Sequence, residues 1–169
     1  GVQLQRQRVS IPIPVQVIAV RDNKGMRLFL PWVKGKPNDA MGIYLASEAR
    51  NFILLDLSFD GRWRTVFYGF AHLLLDANYP PAQTWFDEGF AEYFSTIRVS
   101  NKQVRIGAPP EGLAEILKEN KLWPVTELFR VGPAVLRETG DSRTLFSAQS
   151  WLLVHYLLDL KKLKETGDY

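Results

Sequence analysis

Two adjacent prolines, Pro80 and Pro81, cut a helical stretch of this chain in two. Proline offers no amide hydrogen to a helix and its ring collides with the preceding turn, so no helix runs through the pair. Upstream, Val66, Phe67, Phe70, Leu73 and Leu74 recur at the spacing of one buried helix face, and Asp60 is placed to cap that helix. Downstream, Thr84 is placed to cap a second helix from Trp85 to about Thr96. The polar residues of both helices, His72, Glu88 and Glu92 among them, must then be accommodated between largely apolar neighbours.

The segments before this pair follow a different period. Ile11 to Val20 is β-branched and alternating, and reads as a strand with Pro12 and Pro14 confined to its beginning or to an edge. The run at 21–25 reads as a turn, 26–32 as either a short helix or a strand, and 34–42 as loop. Two strands are expected around Ile43–Ala46 and Asn51–Leu57. After the helix pair, a β-hairpin is expected to turn at Asn101–Lys102. Pro110 is placed to open a helix, 124–131 reads as another short one, and 131–142 as a loop or broken turn. A long amphipathic helix then closes the chain, with basic residues in its last turns as the helix dipole favours. Sheet first and helices after is the order of an α+β domain.

Composition sets limits on function. The 169 residues suit one domain, and 46% hydrophobic against 23% charged residues allows a real core. A net charge of +3 without a dense basic cluster argues against nucleic-acid binding. No cysteine is present, which excludes disulfides and thiolate metal sites. No apolar run is long enough to span a membrane. The first ten residues lack the apolar core of a signal peptide. They read as an extended lead-in.

The chemistry concentrates on Tyr68-Gly69-Phe70-Ala71-His72. Residues four apart share a helix face. Zinc peptidases exploit this with H-E-x-x-H, where two imidazoles bind the metal and the intervening Glu serves as general base. Here His72 stands at the second imidazole, Tyr68 at the first and Gly69 at the base. Glu88 follows on the next helix in the place of a third ligand, with Glu92 one turn beyond it. A phenol that ionises near pH 10 is a poor zinc ligand, and glycine cannot take a proton from water. Glycine inside a helix also costs about 1 kcal/mol against alanine. Either selection on that face has relaxed or something approaches the backbone there. Tyr68 is expected to fill the lost ligand's place, its hydroxyl reaching Glu88.

The stretches 62–81, 85–97 and 145–158 together resemble the gluzincin metallopeptidases, in particular bacterial peptidase MA-like domains. That resemblance covers most of the chain and implies a zincin-like fold over residues 11–169, in a domain excised from a longer protein with helical repeats to follow. It makes His72 and Glu88 vestigial metal ligands, and Tyr68 and Gly69 the lost ligand and lost base. The expected function is a catalytically inactive pseudopeptidase, a peptide- or protein-binding or structural module, with no cofactor beyond at most a weak zinc site. The alternative is an active zinc peptidase with substitute ligands. Asp76 and Asp87 are available for that role, but their spacing fits helix-end electrostatics equally well. Glu92 is expected to orient a neighbour or bind a backbone group, and His155 to steady an oxyanion or to pack in the core. Ser147 and Ser150 lack companions for nucleophilic catalysis. A third reading is a small-ligand pocket in the room left by Gly69. The resemblance, with the missing cysteines, points outside the cytoplasm, to a bacterial periplasm or a secreted protein.

Overall fold

The β-branched run expected from Ile11 pairs only from Val15, so Pro12 and Pro14 lie ahead of the ladder they would interrupt. The computed structural model describes residues 11–30, 32–33, 35–37, 42–79, 81–137 and 140–160. Strand β1 (Val15–Val20) is followed by α1 (Asn23–Met26). The 21–25 segment, expected as a turn, therefore forms one helical turn. Asp22 caps it, its carboxylate accepting from the Gly25 amide at 2.9 Å. The loop expected at 34–42 also carries structure, because β2 (Trp32–Val33) pairs with β3 (Lys36–Pro37). Strands β4 (Gly42–Leu45) and β5 (Asn51–Asp56) match the expected pair to within a residue.

The main sheet has the order β1-β5-β4, with β1 parallel and β4 antiparallel to the central strand. A central strand covered on both faces is apolar along its middle, as β5 is from Phe52 to Leu55. On β5, Leu54 packs with Met26 and Leu30, while Ile53 faces the next helix, α2 (Arg62–Asn78). Entry into α2 corrects the cap expectation. The N-cap is Gly61, without a side-chain cap bond, and Asp60 instead lies 3.9 Å from the Arg62 guanidinium. The prolines end α2 as expected, with Tyr79 already extended. Helix α3 (Thr84–Ser95) includes Thr84, so Gln83 takes the cap position and its side-chain oxygen accepts from the Trp85 indole at 2.6 Å.

The hairpin of β6 (Arg98–Ser100) and β7 (Gln103–Arg105) turns at the expected residues. Then come α4 (Leu113–Glu119), α5 (Val125–Leu128), a 3-10 turn (Pro133–Arg137) and α6 (Asp141–Asp159). Helix α6 departs from the amphipathic expectation, because every residue from Leu145 to Trp151 is buried. It is the central helix of the second half, and a helix enclosed on all sides shows no polar stripe. Phe146 and Val154 pack with Trp85, Leu128 and Val135, whereas Ala148 and Trp151 pack with Leu113.

Glycine makes two of these contacts close. A Cβ on Gly89 would lie 2.2 Å from the Ser150 carbonyl oxygen, so α3 and α6 cross backbone against backbone. A Cβ on Gly69 would lie 3.0 Å from Tyr44 Cβ and 3.3 Å from Ile53, so α2 rests directly on the sheet. Among the described residues no helix is long and apolar enough to cross a membrane. The lead-in, residues 1–10, and the basic end expected of the last helix lie outside the described residues.

Candidate functional site

Because Pro80 and Pro81 end one helix and a second starts at Thr84, α2 and α3 pack along each other and present matching faces. Helix α2 contributes Tyr68 and His72, one turn apart, and α3 contributes Glu88 and Glu92. Tyr68 Oη donates to Glu88 Oε2 at 2.6 Å. From α6, Ser147 Oγ donates to the other oxygen, Oε1, also at 2.6 Å. Glu88 is 1% exposed, so both lone-pair-bearing oxygens of a buried carboxylate are satisfied by hydroxyl donors from two other helices. Burial, then the charge and hydrogen bond of Glu88, push the Tyr68 phenol well above its ordinary value of 10.0. At neutral pH Tyr68 is therefore a donor, not a phenolate.

His72 is turned to a different carboxylate. Its Nδ1 lies 2.9 Å from Asp87 Oδ1. The Tyr68 ring meets the imidazole edge-on at 4.6 Å, and the Tyr44 ring lies nearly parallel to it at 6.3 Å. Burial disfavours the charged imidazole, but the Asp87 hydrogen bond and charge, with Glu88 and Asp76 behind them, outweigh it and raise His72 above 6.5. Asp87 thus does more than serve the helix end. Asp76 is raised by burial and by Asp87, and Tyr44 is pushed up to about 12 by burial, Asp76 and Asp87.

Of the two roles expected of Glu92, its side chain takes the first and orients a neighbour, Arg64. Its Oε2 accepts from Arg64 Nη2 of α2 at 2.8 Å, with Ser95 Oγ at 3.5 Å. Burial raises Glu92 despite the Arg64 pair. His155 does not reach the site. It packs between Tyr93 and Trp151 at ring distances of 5.8 and 5.1 Å, on a part of α6 beyond Ser147, and its buried Nδ1 has no hydrogen-bond partner among the described residues. The packing reading of His155 is the one its surroundings match. The room expected beside Gly69 is also absent, since Tyr44 and Ile53 occupy it. That removes the small-ligand reading in the form tied to Gly69.

Tyr68, His72, Asp87, Glu88, Glu92 and Ser147 line an open cleft of about 700 Å³. Its wall includes Gly42, Ile43 and Tyr44 of β4, and Arg143 from the first turn of α6. Strand β4 is an edge of the sheet among the described residues. Sequence reasoning missed Arg64, Tyr44 and the Asp87–His72 pair, and it weighed Ser147 only as a nucleophile. Ser147 carried one signal, a small hydroxyl in the apolar stretch that became the buried part of α6.

A tetrahedral zinc centre needs three deprotonated ligands with the fourth position open. Here the Glu88 oxygens accept from Tyr68 and Ser147 and the phenol keeps its proton, while His72 Nδ1 pairs with Asp87 as the second nitrogen of a metal-bound imidazole commonly does. Among the described residues no three His, Cys, Asp or Glu side chains are grouped to hold a metal ion. Of Tyr68, His72 and Glu88, the imidazole and the carboxylate can serve as ligands and the protonated phenol cannot, one short of that centre. Set against family models, curated proteins and solved structures, the chain matches none.

Proposed function

We propose that this chain is a gluzincin-like pseudopeptidase domain whose cleft holds an extended peptide or protein segment without cutting it. The observation that carries the reading is the Tyr68–Glu88–Ser147 bridge. At the positions where the resemblance puts two metal ligands, a phenol and a carboxylate hydrogen-bond each other. The order of elements supports the same reading: a small sheet, the two motif helices, and a later helix that closes over them. Edge strands carry unpaired N–H and C=O groups that accept an added strand, and β4 presents such an edge beside the cleft. On this reading the domain works outside the cytoplasm, ahead of helical repeats.

The test joins three measurements on the purified chain: zinc content after dialysis, hydrolysis of a mixed peptide panel, and amide chemical shifts during titration with the same panel. Expected are no retained zinc, no cleavage, and shifts confined to residues 42–45 and the His72 side of the cleft. One zinc per chain with chelator-sensitive cleavage would instead establish the rival peptidase, with Asp76 or Asp87 as substitute ligand. Peptides that shift no cleft residue would overturn the binding reading.

A further inference from the structure

The β6–β7 hairpin stands apart from the cores of the molecule. All six strand residues are exposed, and Val99 and Val104 are 74% and 65% exposed. The register places Val99 opposite Val104 and Arg98 opposite Arg105. Side chains alternate along a strand, so the two valines share one face and the two arginines the other. Lys102 sits in the turn. From Ile97 to Pro110 the sequence has three basic residues and no acidic one. Among the described residues none of the three has a carboxylate partner within ion-pair distance.

Local support is slight, a Val99–Val104 cross-strand pair and a bond from Ser100 Oγ to the Gln103 carbonyl at 3.3 Å. A two-stranded hairpin is marginal in water, and like charges directly opposite each other weaken it further. The hairpin is held at its root instead. Thr96 Oγ1 accepts from the Gly107 amide at 3.0 Å, across the base of the ribbon. Gly107, at φ 82°, lies so close to the Tyr93 ring that a Cβ there would meet it at 2.2 Å. The root is locked onto α3 while the ribbon beyond it projects.

We propose that this hairpin docks the domain on an anionic membrane surface. An interfacial element places apolar side chains at the acyl boundary and cations on its opposite face, at the level of the lipid phosphates. The Val99–Val104 and Arg98–Arg105 faces have that arrangement, and long arginine stems can reach sideways to the headgroups. A protein partner fits less well. Stable protein interfaces cover roughly 800 Å² on each side, whereas the ribbon is eight residues with two apolar side chains. Cations near an anionic leaflet act independently of a shaped partner surface.

Co-sedimentation of the whole chain with phosphatidylcholine vesicles, with and without phosphatidylglycerol, tests the proposal. Binding is expected only to vesicles containing phosphatidylglycerol, and it is expected to vanish at high salt. Each cation removed should weaken partition about five-fold, so R98A/R105A should lose about 25-fold. V99S/V104S should also weaken binding while the circular dichroism spectrum stays unchanged. K118A/K121A removes the same charge from α4 and the loop after it, and should bind nearly as the parent does. No binding to anionic vesicles, or equal losses in R98A/R105A and K118A/K121A, would overturn the proposal. So would binding to a soluble polyanion such as heparin with none to vesicles.

Discussion

Tyr68 Oη lies 2.6 Å from Glu88 Oε2, and this contact joins the two helices that the prolines separate. With Ser147 on the other oxygen, three helices meet on one buried carboxylate. Tyr68→Phe leaves that carboxylate short of a donor, and an unsatisfied buried acceptor costs about 1–3 kcal/mol. Ser147→Ala should cost a similar amount. Because both act through Glu88, the double variant should depart from additivity by about 0.5 kcal/mol or more. Urea unfolding at neutral pH reads all three, and an unchanged midpoint in Tyr68→Phe would show the bridge to be dispensable.

Gly69 gives a prediction of unusual sign. Glycine to alanine inside a helix ordinarily stabilises by about 1 kcal/mol. Here the new Cβ meets Tyr44 Cβ at 3.0 Å, an atom fixed to the strand backbone. Gly69→Ala should therefore be destabilising, and Gly69→Glu more so. Tyr68→His with Gly69→Glu, which writes H-E-x-x-H into α2, should bind no zinc and should melt below the parent. Zinc uptake by a folded double variant would show that α2 can lift from the sheet.

Gly89→Ala should be among the most damaging single substitutions. Its Cβ would overlap the Ser150 carbonyl oxygen at 2.2 Å, and neither helix can yield without disturbing the Phe146 and Val154 core. Overpacking of this kind reaches about 3 kcal/mol. Thermal unfolding checks it, and a melting temperature equal to the parent's would count against the close crossing of α3 and α6.

His72 predicts a pH dependence. Its folded value lies above the unfolded 6.5 because the Asp87 hydrogen bond and charge outweigh burial. A raised imidazole contributes stability fully below the unfolded value, and that contribution is lost as pH rises through the folded value. The parent's advantage over His72→Gln should therefore be larger at about pH 6 than at about pH 9. Paired urea titrations measure it. An advantage that grows with pH would mean that the buried neutral imidazole is the favoured form.

Much of the secondary structure was legible from local chemistry. Proline stops a helix wherever it stands, so the α2–α3 break was certain before any coordinates. The alternation at 15–20 and the turn at Asn101–Lys102 were likewise local. So was the meeting of Tyr68 with Glu88, because a one-turn spacing on each of two adjacent helices leaves few ways to pair their faces. The caps were misread. Asp60 and Thr84 are good capping types, but the chain enters each helix one residue away from the expected place.

By itself the sequence determined the two helices on either side of the prolines and the side chains they carry at positions 68, 69, 72 and 88, since these follow from residue identity and spacing along one chain. Only the tertiary structure decided that His72 turns to Asp87, that Ser147 comes to Glu88 from a distant helix, and that Gly69 and Gly89 are contact points. The reason is physical. A hydrogen bond or a backbone contact depends on separations of tenths of an ångström between elements remote in sequence, and those separations are set by the packing of whole helices.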